Sequence, residues 1–374
     1  MRTGIFGGTF DPAHNGHTEI VKTAMRELKL DRLIILPSGD PPHKKNAKVT
    51  DKYARFEMAK LAFSETGFEV SDFELKKENL SYTCETLEHF SKKLDGDIYF
   101  IIGGDSLKNL TTWKCPDKIL SLAYLYVVGR EVDSQNVYTE KYPEKIVRST
   151  SEIPNVSSTE IRLMSRFGLD ISGLVPESVN KYIKEKGLYK KDFELTQKVR
   201  EYLKPERYVH TFNVALCAEK YAKSLGVDEE AAFIAATLHD VAKYVDPSPY
   251  KERLEREGFY IPKPCVHAFV GSYMANDVFG IESEDIINAI KYHTTGRAGM
   301  SALEKLIFLC DTIERSRDFD GVEKLRALAD ENFDAACIKY LEETVSRIKK
   351  EDLCPITRDA LEDMRSKYGT KSIS

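Results

Sequence analysis

Near residue 190 the apolar residues of this 374-residue chain change their period, which divides the chain into two separate folding problems. Before that point come four short runs rich in Ile, Leu, Val, Phe and Tyr: Arg2–Phe6, Arg32–Leu36, Asp97–Ile102 and Leu122–Val128. Each is bounded by Gly, Pro or Asp, the pattern of strands buried on both faces. Between the first two, Ile20, Val21, Ala24, Met25 and Leu28 recur on one face of a helix. This alternation predicts a doubly wound α/β domain. Pro176–Leu188 reads as its closing helix, with a proline suited to the first turn and a stop at Gly187. Beyond Lys190-Lys191-Asp192 strand signals fade, and helical spacing takes over, as in Val214, Ala215, Ala218, Tyr221, Ala222 and Leu225, or Leu303, Leu306, Ile307 and Cys310. The expected organisation is an α/β domain over residues 1–189, an all-helical bundle over 193–350, and a C-terminal tail over 351–374 whose end, Ser366–Ser374, is polar.

Composition contributes exclusions. A net charge of −5 gives no global electrostatic reason to bind nucleic acid or an anionic membrane. No apolar run approaches the roughly 18 residues of a membrane span. The opening Met1-Arg2-Thr3-Gly4-Ile5-Phe6 lacks the apolar region of a secretory signal. The seven cysteines are never closer than 17 positions, so CxxC motifs and a dense disulfide framework are excluded. A reduced, cytoplasmic setting is the expectation, and a homo-oligomer is compatible with it.

Gly7-Gly8-Thr9-Phe10-Asp11-Pro12-Ala13-His14-Asn15-Gly16-His17 follows the first strand and opens the first helix. Glycines let a backbone approach phosphate closely, and a helix N-terminus presents unpaired N–H groups at its positive end. Two imidazoles three positions apart at that terminus can serve one anionic ligand. The glycines match neither GxGxxG nor GxxxxGK[ST], so neither of those phosphate loops applies. A second piece, Val156-Ser157-Ser158-Thr159-Glu160-Ile161-Arg162, is either a helix cap or a group of hydroxyls and a guanidinium converging on phosphate.

Taken together, these residues resemble the nicotinate mononucleotide adenylyltransferases. The resemblance spans roughly residues 1–189 and includes Pro41-Pro42-His43-Lys44, Ser81-Tyr82-Thr83, Gly103-Gly104-Asp105-Ser106-Leu107 and Trp113. It implies a Rossmann-like nucleotidyltransferase fold. ATP would lie along Gly8, Thr9, Phe10, His14 and His17 and against Ser158, Thr159 and Arg162. The pyridine ring of nicotinate mononucleotide would sit by Trp113 and Thr83, with His43 and Lys44 close by and Gly104 and Asp105 also at the substrate site. His14, His17, Lys44, Arg162 and a Mg²⁺ carried with ATP would stabilise the charge that develops during in-line transfer.

The helical half holds four histidines, His210, His239, His267 and His293, with Asp240 beside one of them and Asp311 farther on. Successive gaps of 29, 28, 26 and 18 residues place about one such group per helix of a bundle. Imidazole with carboxylate suits iron, manganese or zinc rather than calcium. Leu238-His239-Asp240-x-x-Lys243, Tyr292-His293-Thr294-Thr295-Gly296 and Leu309-Cys310-Asp311-x-Ile313-Glu314 with Arg317 resemble the HD-domain metal phosphohydrolases, closest to the symmetrical diadenosine tetraphosphate hydrolases.

That resemblance implies one metal on His210, His239, Asp240 and Asp311, and a second on Asp240, His267 and His293. The metal would be iron, with manganese as the alternative. Lys243, Thr294 and Arg317 would meet the polyphosphate, Lys243 and Asp240 acting in catalysis. The expected chain therefore joins two active sites whose partners are small molecules: ATP, nicotinate mononucleotide and diadenosine polyphosphates. Other readings stay open. The first half could be a different adenylyltransferase, and the second a mononucleotide phosphatase or a nucleotide sensor that does not cut.

Overall fold

The computed structural model describes residues 1–39, 49–64, 67–77, 81–129 and 135–368. It separates into two compact units, Met1–Lys190 and Lys191–Ser374. Among the described residues no helix is long and apolar enough to cross a membrane.

The first unit is built on six parallel strands: β1 (Arg2–Gly8), β2 (Arg32–Pro37), β3 (Glu69–Val70), β4 (Asp97–Gly103), β5 (Tyr124–Val128) and β6 (Ile146–Arg148). Their order in the sheet is β3-β2-β1-β4-β5-β6, and every neighbouring pair is parallel. The predicted doubly wound fold is thus present. The four apolar runs became its central strands, while the edge strands β3 and β6 are too short to leave a periodic signal. Leu122, expected in a strand, instead ends a helix.

The helices of this unit are α1 (Asn15–Leu28), α2 (Lys52–Phe63), α3 (Thr83–Ser91), α4 (Gly104–Lys108), α5 (Pro116–Leu122), α6 (Val137–Lys141), α7 (Ser158–Arg166) and α8 (Glu177–Lys186). Each central strand sends alternate residues to two different cores. Phe6, Ile35, Ile101, Tyr126 and Val128 join one, with Val21 and Ala24 of α1, Met58 of α2 and Val179 of α8. Ile5, Ile34, Leu36, Phe100, Ile102, Leu125 and Val127 join the other, with Leu87 of α3 and Ile119 of α5. The runs look uniformly apolar because helices cover both faces. The sheet order reverses between β1 and β4, which opens a crevice at the carboxyl ends of those strands.

The second unit is helical among its described residues: α9 (Phe193–Arg200), α10 (Pro205–Ala222), α11 (Glu229–Leu238), α12 (Lys251–Glu255), α13 (Val266–Asp277), α14 (Glu284–Lys291), α15 (Ala302–Ile313), α16 (Val322–Glu331), α17 (Phe333–Arg347) and α18 (Pro355–Tyr368). The tail expected over 351–374 requires correction. Its residues 355–368 form α18, which buries Thr357, Ala360, Leu361 and Met364. Tyr368 at its end meets the buried Lys305 of α15 through its hydroxyl at 3.4 Å. The charged exposed face of α18 masked its apolar stripe in composition, although the stripe has helical spacing.

Candidate functional site

In the first unit the loop after β1 turns into α1 through two histidines. His14 is the N-cap, and its Nδ1 accepts from the backbone N–H of His17 at 3.4 Å. The Nδ1 of His17 accepts in return from the N–H of His14 at 3.2 Å. The rings stack with centroids 3.6 Å apart. Gly16 makes this possible, because a Cβ there would lie 3.1 Å from His14 Nδ1 and 3.4 Å from the Pro154 carbonyl. Burial lowers the pKa of His14 to about 4, and burial with the neighbouring ring lowers that of His17 well below its ordinary value. Both rings are therefore neutral near pH 7. With Nδ1 accepting, each carries its proton on Nε2 as a donor for an anion.

The segment at the start of α7 comes to the same loop. Ser158 Oγ donates to the Pro12 carbonyl at 3.0 Å, and Arg162 Nη1 to the Asp11 carbonyl at 2.8 Å. Arg162 Nη2 also meets Thr159 Oγ1 at 3.1 Å. Ser157, the N-cap of α7, makes no side-chain capping bond. Asp11 itself is buried, with Oδ1 accepting from the Tyr189 hydroxyl at 2.7 Å and Oδ2 from the Thr50 N–H at 3.2 Å.

A cavity of about 500 Å³ occupies the crevice between β1 and β4. Gly8 and Thr9 line one side, and Thr83, Gly103, Ser106 and Trp113 another. Trp113 is only partly buried, meets Phe100 edge-on with centroids 6.4 Å apart, and lines the cavity. Phe10 is fully buried with φ of 52° and packs edge-on against His17 at 4.9 Å, so it supports the loop. Gly104 and Asp105 open α4, but Gly103 and Ser106 are the residues of that turn that line the cavity. His43 and Lys44 lie outside the described residues. His89 stacks on Phe73 at 3.9 Å, away from the cavity lining.

Sequence reasoning missed Arg55. It is 1% exposed and ties the loops after β1 and β2 together, donating to the carbonyls of Thr9 (2.8 Å), Ser38 (2.8 Å), Gly39 (2.7 Å) and Thr50 (2.9 Å). No local pattern marks it, since the carbonyls it serves come from four separate positions.

In the second unit the six expected ligands converge. His239 follows the end of α11 and His293 the end of α14, and both use the same device. Nδ1–H of His239 donates to the Ala236 carbonyl and that of His293 to the Ile290 carbonyl, each at 2.7 Å. Both Nε2 atoms are thereby left as acceptors, buried and without a hydrogen-bond partner. Asp240 lies between two sets. Its Oδ2 is 3.5 Å from His239 Nε2 and 3.8 Å from His210 Nε2. Its Oδ1 is 2.9 Å from His267 Nε2 and 3.7 Å from His293 Nε2. Asp311 Oδ1 is 2.9 Å from His210 Nε2 and 3.9 Å from His239 Nε2.

His210, His239 and Asp311 lie close enough to hold one metal ion, and so do His239, Asp240 and His293, but His239 has only Nε2 to offer and serves one of these groups at a time; His267 falls in neither. The buried Nε2 acceptors beside the carboxylates fit a cation, and imidazole with carboxylate suits a transition metal. His267 meets this cluster through Asp240, and its Nε2 accepts from Lys243 Nζ at 3.1 Å. Burial lowers its pKa to about 4, so it too is neutral. Burial also opposes ionisation of Asp240, yet His239 and the other imidazoles hold its carboxyl well below the usual range.

Cations surround the carboxylates. Lys243 Nζ lies 3.4 Å from Asp240 Oδ1, and Arg317 Nη2 donates to Asp311 Oδ1 at 2.6 Å. Thr294 has a buried hydroxyl without a partner beside His293. Two residues were missed. Glu314 Oε1 accepts from Nδ1–H of His210 at 3.0 Å and so aims the other ring nitrogen at Asp311. Arg207 Nη1 donates to Asp240 Oδ2 at 2.8 Å. Glu314 stood inside the quoted motif, whereas Arg207 is legible only as a cation one turn before His210.

Comparisons with known proteins agree with this division. The cytidylyltransferase-like family model matches residues 5–164, and the HD domain model matches residues 207–316. A probable nicotinate-nucleotide adenylyltransferase of Clostridium tetani is 44% identical over 195 residues, which cover 50% of this chain and 98% of that protein. A protein of the same name from Clostridium botulinum is 41% identical, covering 51% of this chain and 99% of the relative. Among solved structures, a predicted HD superfamily hydrolase involved in NAD metabolism from Clostridium acetobutylicum is 33% identical, covering 46% of this chain and 97% of its own, with a TM-score of 0.42. The Plasmodium falciparum nicotinic acid mononucleotide adenylyltransferase complexed with NaAD is 18% identical, covering 50% and 97%, with a TM-score of 0.43.

Proposed function

Through its N-terminal half the chain belongs to the nicotinate-nucleotide adenylyltransferase family, and on that premise we propose that its first unit joins ATP and nicotinate mononucleotide into the dinucleotide and pyrophosphate. The observation that carries this reading is the pair of neutral, Nε2-protonated histidines at the start of α1, with Ser158, Thr159 and Arg162 gathered on the same loop. The mononucleotide phosphate attacks the α-phosphorus of ATP in line, one P–O bond forms, and the bond to the leaving pyrophosphate breaks. The Nε2–H donors of His14 and His17 and the Arg162 guanidinium stabilise negative charge that grows on the phosphate oxygens. The cavity lined by Gly8, Thr9, Thr83 and Trp113 would take the pyridine ring, although His14, His17 and Arg162 are not among its lining residues. Fixing two anionic substrates in register lowers the barrier by about 7–11 kcal/mol. His17→Ala should lower kcat far more than it raises either KM, and near-full transfer by that variant would sink the assignment. ATP supplied with nicotinate or nicotinamide mononucleotide then identifies the acceptor.

For the second unit the proposed activity is metal-dependent phosphohydrolysis, with diadenosine tetraphosphate cut symmetrically to two ADP. The supporting observation is the Asp240 carboxylate facing two imidazole sets, one on each oxygen. His210, His239, Asp240 and Asp311 would hold one divalent ion and Asp240, His267 and His293 the second. Such a pair supplies charge neutralisation and water activation at neutral pH. Lys243 and Arg317 hold the carboxylates in place and face the anionic substrate. A polyphosphate panel assayed with Fe²⁺, Mn²⁺ and Mg²⁺ tests this. A chain that bound nucleotide and cut none of the panel would be a sensor instead.

A further inference from the structure

Arginines in this chain differ in how completely their donors are used. Arg55 and Arg326 are structural, with their nitrogens directed at backbone carbonyls. Arg326 reaches those of Ile313 (2.9 Å), Glu314 (2.6 Å) and Arg317 (2.8 Å) and also pairs with Glu323. Arg207 is different. Among the described residues its guanidinium makes one hydrogen bond, from Nη1 to Asp240 Oδ2 at 2.8 Å. Its side chain is 23% exposed, while the Asp240 carboxylate it meets is 1% exposed. One end of the fork is thus anchored on the buried Asp240 carboxylate, and its remaining donors have no partner among the described residues.

Arg207 sits in the first turn of α10, one turn before His210 and on the same face. With Lys243 and Arg317 it completes a set of three cations against the carboxylates of Asp240, Asp311 and Glu314. Those charges balance before any divalent ion is counted, so metal binding makes the pocket net positive and favours a polyanion. A planar guanidinium with unused parallel donors matches phosphate oxygens better than an ammonium does.

We propose that Arg207 is a phosphate-binding residue of this site, holding Asp240 with one edge of its guanidinium and offering the other to a phosphate oxygen of the substrate. The proposal rests on the metal-phosphohydrolase reading above. It also predicts a preference for substrates with a phosphate beyond the one being cut, since Arg207 and Arg317 approach different carboxylates.

The test uses the full chain, titrated with Mn²⁺ and then with inorganic pyrophosphate. Binding present in the wild type and absent in His239→Ala is assigned to this site, which separates it from the first unit. Arg207→Met should weaken that pyrophosphate binding by about tenfold or more, the size of a lost charge-assisted hydrogen bond. Its Mn²⁺ affinity should stay within about threefold of wild type, because removing a cation beside Asp240 relieves repulsion toward the incoming Mn²⁺ and offsets the lost orienting hydrogen bond. Arg207→Lys, which keeps the charge but loses the fork, should fall between the two. Unchanged pyrophosphate binding in Arg207→Met overturns the proposal. So does a parallel loss of Mn²⁺ affinity, which would make Arg207 a support for Asp240 alone. Absence of any His239-dependent Mn²⁺ site in the wild type overturns the metal reading itself, and the proposal with it.

Discussion

His14 and His17 cap the same helix reciprocally, each ring accepting the other's backbone N–H through Nδ1, at 3.4 and 3.2 Å. The geometry requires both rings to be neutral, because a protonated Nδ1 cannot accept. The pH dependence of the first unit follows. The pKa of His14 is lowered from 6.5 to about 4, chiefly by burial. Between those values the unfolded chain binds a proton that the folded chain does not, so stability falls as pH drops from about 6.5 toward 4. Thermal melts of the wild type and His14→Asn over that window should show a shallower fall in the variant, whose amide can still cap the helix. Equal slopes would remove His14 as the source.

Arg55 should be irreplaceable by lysine. Four carbonyls from the loops after β1 and β2 converge on its guanidinium, and an ammonium has neither the reach nor the planar donor set to serve them. Arg55→Ala should destabilise the first unit by about 3 kcal/mol or more, since four carbonyls lose their donor, and Arg55→Lys should recover little of it. Urea unfolding followed through Trp113, the chain's single tryptophan, reports on that unit alone. A loss below about 1 kcal/mol would show that water replaces the guanidinium without difficulty.

Glu314 should matter for metal affinity although it does not belong to the expected ligand set. It receives the Nδ1–H of His210 at 3.0 Å, and Ser316 donates to it through its backbone N–H at 2.6 Å. Burial opposes its ionisation, but those bonds lower its pKa to about 2, so the carboxylate is charged throughout the working range. Glu314→Gln should weaken metal binding by about 10- to 100-fold while adenylyl transfer by the other unit is unaffected. Metal content after dialysis against a chelator measures this directly, and retention equal to wild type would contradict it.

The central strands were legible because helices cover both faces of the sheet, which turns strands such as β1 and β4 into uninterrupted apolar runs. The edge strand β3 was not, since Glu69–Val70 pairs only with β2 and needs no periodicity to do so. The ligand histidines were legible because eight histidines are few enough for spacing to carry information. Their partners were harder to see. Glu314 and Arg207 act from a neighbouring turn of the helix on residues far away in sequence, 104 positions for Glu314 and His210, 33 for Arg207 and Asp240.

The sequence by itself determined the division near residue 190, the type of each unit, and which histidines and acids were available for chemistry. Those properties are local, set by hydrophobic period and residue type within a few turns or strands. Tertiary structure alone decided that Asp240 turns one oxygen to His210 and His239 and the other to His267 and His293. It also decided that Arg162 reaches the carbonyl of Asp11 across 151 positions, and that residues 355–368 are packed helix rather than tail. A carboxylate's two oxygens are equivalent in any sequence, and only the packing of separate helices makes them different.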